Sequence, residues 1–214
     1  MRKQQQESYI MQIFMRFLIL ILLSVFWIPL SYAKNDPSLE KTIHAVVLGF
    51  QNRNAEQVKP YIHPKYGYVY WYRIGIPTIQ TYEQRKDFIF PAEGSAFPNI
   101  WHYSTPHPKK LLQKTMQLPI MECDLWNKSG WFYQQSHVKK AFRQVLKNNY
   151  RDQLIDKEAL EKGLKIVQPL EKNLVEMYYI GSTRQVSDSL HLYFSQINGK
   201  WYLSGFDNGG NCDV

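Results

Sequence analysis

The stretch SLHLYFSQINGKWYLSGFD, residues 189–207, limits the fold more than any other part of this chain. Asn198-Gly199 stands between two runs of alternating aromatic and aliphatic residues, and Asn-Gly suits the left-handed geometry of a two-residue hairpin turn. A turn that short also sets the register of the strands it joins. Ile197 then faces Lys200, Gln196 faces Trp201, Phe194 faces Leu203 and Leu192 faces Gly205. These residues, with Leu190, make an apolar face that should pack on helices. The opposite face pairs His191 with Phe206, Tyr193 with Ser204 and Ser195 with Tyr202, and its mixed chemistry suits solvent, a partner or a site.

Helical and extended patterns precede this hairpin. Asp36-Pro37-Ser38 reads as a helix start, and Leu39, Ile43, Val46, Val47 and Phe50 follow at helical spacing. Asn54 can cap a short second helix, residues 57–61, which ends at Pro64. GYVYWYRIG, residues 67–75, has the aromatic and β-branched content of a strand. Five prolines between Ile76 and Leu111 break the next segment into loops, with one helical turn expected at 82–88. MQLPIMECDLW and WFYQQ, joined at 127–130, read as a hairpin. Helical spacing returns with Val138, Phe142, Val145, Leu146 and Tyr150, then with Leu160, Leu164, Val167 and Leu170, where Gly163 and Pro169 weaken the helix. NLVEMYYI adds a strand before the closing hairpin. The pattern predicts one α+β domain over residues 34–214, helices packed on an antiparallel sheet, with no interdomain linker.

The N-terminus predicts an exported protein. Arg2, Lys3 and Arg16 precede an apolar run of fourteen residues, FLILILLSVFWIPL, and Ser31-Tyr32-Ala33 places small residues at −3 and −1 of a cleavage site. This is the pattern of a secretory signal peptide, residues 1–33, whereas a membrane span needs about 20 apolar residues. Met11 and Met15 are alternative starts. The expected location is periplasmic or secreted, with membrane contact only through the signal peptide. Loss of the leader lowers the formal charge from +8 to +6, a balance that favours acidic partners in general. Nucleic acid is not expected, because no basic-region or zinc-finger pattern is present and the lysines are dispersed.

Two cysteines in an exported chain favour pairing. A Cys123–Cys212 bond would close a loop of nearly ninety residues, for which chain entropy gives a ceiling of about 4–5 kcal/mol. Two free thiols are the alternative. Neither MECDLW nor GGNCDV supplies the base and local motif of a catalytic cysteine.

Two N-terminal helices, the YIHPKYG step before an early strand, and a closing hairpin written NGKWYLSGFD resemble the NTF2-like superfamily, also described as the cystatin-like or SnoaL-like cone. The residues that carry the likeness are Ile62, His63, Pro64 and Gly67, and Asn198, Gly199, Lys200 and Trp201. The resemblance spans residues 37–74 and 173–207. It implies an amphipathic first helix against a curved antiparallel sheet, with residues 137–170 inserted between two strand regions. Catalytic members rely on an Asp-His pair in the pocket, which no motif here supplies. The scaffold hosts enzymes and inert binding or dimerising modules alike.

Several residue groups carry chemistry, each beside a plainer reading. Tyr70, Trp71, Tyr72 and Arg73 could line a pocket with Trp201 for a small anionic or cyclic ligand, or could be ordinary sheet packing. His102 and His107, with Glu93 or Asp87, have a spacing open to metal but match no zinc pattern, so no metal site is expected. His63 more readily positions the chain before Pro64 than acts as an acid or base. Glu122 and Asp124, with Glu176, could divide acid and base roles, but charges also deter edge pairing of strands. Asp207, Asn208, Asn211 and Asp213 offer oxygens to calcium without an EF-hand spacing, and turn chemistry explains them equally. Lys140, Arg143, Lys147 and Arg151 form a basic stripe that a solvated helix face also produces. Nucleophile elbow, P-loop and dinucleotide fingerprints are missing, and no cofactor is expected. The reading is a non-catalytic exported module that binds a small ligand or a protein, with a homodimer through the outer sheet face as one mode. The alternatives are a small hydrolase or isomerase with pocket His, Asp or Glu groups, and an inhibitor or immunity protein.

Overall fold

Asp36 is the first described residue. The computed structural model describes residues 36–73, 77–90, 112–123, 125–135, 141–185 and 189–207, with the Arg73 side chain excepted. Residues 1–35, where a signal peptide is expected, residues 91–111 and the tail with Cys212 lie outside the described residues. Asp36 caps α1, Pro37–Gln51, by accepting from the Ser38 and Leu39 amides at 2.9 and 3.3 Å. Its second carboxylate oxygen accepts from the Trp201 indole at 2.8 Å, which ties the start of α1 to the last strand. The stripe Leu39, Ile43, Val46, Val47 and Phe50 is buried as its spacing predicts. Asn54 caps α2, Ala55–Val58, and a 3-10 turn at Lys59–Tyr61 continues it.

Nine described strands follow: β1 Tyr68–Arg73, β2 Thr78–Glu83, β3 Leu112–Lys114, β4 Met121–Glu122, β5 Leu125–Trp126, β6 Gly130–Gln135, β7 Val175–Ile180, β8 Ser189–Ile197 and β9 Lys200–Asp207. Between β6 and β7 stand α3, Ala141–Arg151, and α4, Lys157–Leu170. Seven strands form one mostly antiparallel sheet in the order β2-β1-β9-β8-β7-β6-β3, with parallel pairs at β1–β9 and β3–β6. The architecture is α+β. No described helix is long and apolar enough to cross a membrane.

Two strand expectations need correction. β2 occupies part of the segment read as loops, pairing along all of β1; only the turn at Arg85–Asp87 was expected there. The hairpin expected between residues 116 and 135 does not form as written. β4 turns back on β5 around Cys123, which has a left-handed φ of 44°, so Cys123 sits in a turn rather than a strand. β6 instead pairs with β7 and β3, because its aromatic residues find their cover in the long-range sheet.

The closing hairpin keeps its turn and changes register halfway. Ile197, Gln196, Ser195 and Phe194 face Lys200, Trp201, Tyr202 and Leu203 as the turn requires. Beyond them Ser204 is an extra residue, and Tyr193 faces Gly205, Leu192 faces Phe206 and His191 faces Asp207. The bulge places two small residues, Ser204 and Gly205, where strict alternation would put Phe206 on the mixed face. Ser204 shares a 2.8 Å hydrogen bond with Ser195, whose hydroxyl also meets the Leu170 carbonyl at the end of α4. Phe206 then joins Leu192, Phe194, Leu203 and Trp201 in the core beneath α1.

The mixed face is built over within the chain. Phe142, Leu146, Val167 and Leu170 of α3 and α4 pack with Val69, Trp71 and Tyr193. Gly205 makes the seat for Phe142, since a Cβ there would lie 2.8 Å from the ring. Gly163, unfavourable for a helix in isolation, lets α4 approach Tyr82 and Leu146, where a Cβ would come within 2.8 and 3.0 Å. Asn149, not Tyr150, takes the inward position on α3. Its amide donates to the Thr78 carbonyl at 2.6 Å and accepts from the Gln80 amide at 3.2 Å, which covers the edge of β2. Arg143 leaves the basic stripe to pair with Glu171, whose side chain is 1% exposed while that of Arg143 keeps partial contact with solvent.

The Asp36 cap yields a stability prediction. The Ser38 hydroxyl holds the carboxyl below its ordinary range; burial, the next largest effect, opposes it, and Trp201 with the Leu39 and Ser38 amides adds to the lowering. A lowered folded value means that the stabilisation is complete above the unfolded value, about 3.8, and is lost as pH falls through the folded one. Asp36→Ala should lower the unfolding free energy by about 1 kcal/mol at pH 7. Urea denaturation should show that gap narrowing towards pH 3.

Candidate functional site

The face of the sheet between α3–α4 and the β4–β5 hairpin carries a continuous row of aromatic and ionisable side chains. Strand pairing aligns them: Tyr178 is opposite His191, His191 opposite Asp207 and Asp207 opposite Trp71, while Gln134, Glu176 and Tyr193 lie in the next row. Directly paired residues point to the same side of a sheet, so the register of five strands converges on one strip. Rings touch along it. Trp126 lies 5.0 Å from Tyr178, Tyr178 lies 4.0 Å from His191, His191 lies 4.5 Å from Tyr193, and Tyr193 lies 5.1 Å from Trp71.

His191 is the centre of this row. Its side chain is 14% exposed, and Asp207 Oδ2 stands 3.4 Å from its Nδ1. That carboxylate orients the neutral ring and pairs with the charged one. On the far side of the ring, Nε2 is buried without a hydrogen-bond partner among the described residues. Trp126 Nε1 and Gln134 Oε1 are likewise buried with no partner among the described residues; Trp131 Nε1 is another such atom, but it belongs to the opposite face beside His44. Each buried orphan costs about 1–3 kcal/mol, and native interiors satisfy most of them. A donor, an acceptor and an imidazole nitrogen left open on one strip of sheet therefore need an explanation.

The phenols beside His191 are fixed in their acid form. Burial raises the Tyr178 hydroxyl above the ordinary phenol range, and the charges of Glu176 and Asp207 add to it. Burial does the same to Tyr193, with Asp207, Glu176 and Tyr178 contributing and a hydrogen bond to Glu176 holding the proton. Both remain hydrogen-bond donors at any physiological pH. Trp71 is held rigidly, its indole donating to Gln80 at 2.6 Å while the Gln80 amide donates to Tyr82 at 2.6 Å.

The expected aromatic pocket divides across the sheet. Trp71 belongs to the His191 strip. Tyr70 packs against the opposite core, stacked on Tyr72 and 5.3 Å from Phe206. Trp201 is buried in that core and bound to Asp36. Arg73 ends β1 opposite Thr78. Glu122 is exposed on the short hairpin, whereas Glu176 lies in the strip with Tyr193. Cys123 is exposed; Cys212, His102, His107, Glu93, Asp124, Asn208, Asn211 and Asp213 fall outside the described residues. Among the described residues no three His, Cys, Asp or Glu side chains gather to hold a metal.

Reasoning from sequence missed His191, Asp207, Tyr178, Gln134 and Trp126 as one site. Strict alternation from the turn puts His191 opposite Phe206 on the mixed face and leaves Asp207 with the tail, whereas the structure pairs His191 with Asp207. No family model matches the chain, and no match is found among the curated proteins or the solved structures.

His63 serves the chain path. Its Nδ1 accepts from the Lys65 and Tyr66 amides at 3.2 and 3.3 Å, and its ring stacks on Tyr66 and meets Tyr202 edge-on. Burial, and then the Lys65 charge, lowers its pKa from 6.5. The unfolded chain therefore takes up the proton first, and stability should fall as pH drops below about 6.5. In His63→Asn, whose amide oxygen can accept the same bonds without titrating, thermal denaturation between pH 7 and 5 should show a shallower loss.

Proposed function

We propose that the chain is an exported member of the NTF2-like cone class that binds a small polar ligand over the strip formed by Trp126, Gln134, Tyr178 and His191. The observation that carries this reading is the convergence of three buried polar atoms, with no partner among the described residues, on a sheet face otherwise walled by aromatic rings. Binding sites typically combine apolar walls with a few placed donors and acceptors. A ligand that offers an acceptor to Trp126 and a donor to Gln134 or His191 fits this set. The cone-type reading is supported by α1 lying along one face of a mostly antiparallel sheet whose closing hairpin is central. A homodimer through the outer sheet face gains no support, because α3 and α4 occupy much of that face.

The test is a screen of small hydroxylated and amide fragments, read by the imidazole nitrogen signals of His191 and the indole signal of Trp126. Fragments should shift both, and Gln134→Leu should weaken them by about tenfold. If every binder shifts only residues elsewhere, the proposal fails.

A second reading has its own observation. Asp207 behind Nδ1 with Nε2 directed away is the arrangement of an oriented general base, flanked here by protonated tyrosines. In an isomerase, the α-protons of bound ketone fragments would exchange in deuterated water, and in His191→Asn the exchange would stop even with the fragment at saturating concentration. Binding without exchange supports the non-catalytic module.

The leader and the cysteines support export with a Cys123–Cys212 disulfide, and Cys123 stands exposed at its turn. Alkylation of the mature protein without reductant should label no thiol; two labelled cysteines would exclude the bond.

A further inference from the structure

A second, unrelated cleft lies where α2 and the following 3-10 turn meet the end of β2. Glu56, Lys59, Pro60, Pro64, Gln84, Arg85 and Lys86 enclose about 400 Å³. Two loops fix its walls. Pro60 and Pro64 restrain the first, and the 3-10 turn Arg85–Asp87 restrains the second. The charges are unequal. Glu56 is satisfied by Lys59 at 2.7 Å, and the Lys59 side chain lies mostly buried in the wall. Arg85 and Lys86 form no ion pair with a described residue, although Glu83 and Asp87 flank them along the chain. Arg85 is half-buried and lines the cleft.

We propose that this cleft binds the phosphate group of a small phosphate monoester, about the size of a monosaccharide phosphate. A guanidinium offers two parallel N–H donors to phosphate oxygens, and an adjacent ammonium adds a point charge. The proline rings form an apolar wall for the rest of the ligand, and the volume lies in the range of small-molecule pockets. Glu56 acts against binding, because it holds Lys59 away from an incoming anion. The site stands apart from the His191 strip, so the two proposals fail independently.

Glucose 6-phosphate titrated into the full chain at low salt should shift the amides of residues 56–64 and 84–86. Glucose should not shift them. Arg85→Ala with Lys86→Ala should weaken binding by about tenfold, and Glu56→Gln should strengthen it severalfold by freeing Lys59. Lys86→Glu, a change at an exposed position, gives a second variant should the double one unfold. Phosphatidic acid vesicles distinguish the source of the phosphate. Binding to vesicles without any response to glucose 6-phosphate overturns the soluble-ligand assignment, as does equal affinity for glucose or an unchanged affinity in the Arg85 and Lys86 variants.

Discussion

The extra residue at Ser204 governs more of this molecule than any other single feature. With strict pairing from the Asn198-Gly199 turn, Phe206 would stand opposite His191 on the helix-covered face. The bulge moves every later residue by one position, so Phe206 enters the core under α1 and Asp207 comes to His191. One insertion thus completes an apolar core on one side and creates an ionisable pair on the other. Its seat is polar and buried, formed by Ser195, Ser204 and the last carbonyl of α4. The helical insertion and the register of the closing hairpin therefore depend on each other.

The covered second face follows from the same geometry. Gly205 beside the bulge leaves room for Phe142, and Gly163 allows α4 to lie close to Tyr82. Asn149 supplies the hydrogen bonds that a missing neighbour strand would give to β2. The Arg143–Glu171 pair joins the start of α3 to the end of α4. These contacts cover the sheet at one end, and Trp126 with Phe132 and Ile180 covers it at the other. The His191 strip lies between the two coverings, which explains how polar side chains come to be enclosed there.

Legibility in the sequence depended on the range of the interaction. Asp36, Asn54 and the Asn198-Gly199 turn were readable because a cap or a tight turn acts within a few residues. The buried stripe of α1 was readable for the same reason. β2 was hidden by nearby prolines, and Asn149 was hidden because a polar residue on an inward position breaks the hydrophobic period it belongs to. Of the aromatic residues proposed as a pocket, alternation along β1 already separated Trp71 from Tyr70 and Tyr72. The Asp-His pair was invisible because its members are sixteen residues apart on paired strands whose register changes between them.

By itself, then, the sequence determined the starts of α1 and α2, the buried stripe of α1, the strands of the closing hairpin and its turn, all consequences of local backbone preference and periodicity. Tertiary structure alone decided the parallel pairings β1–β9 and β3–β6, the bulge at Ser204 and the covering of the mixed face. Each of these is a choice among registers or partners that local preference leaves nearly equal in energy. Burial of Phe206, Phe142 and Tyr193 settles the choice, and with it the meeting of His191 and Asp207.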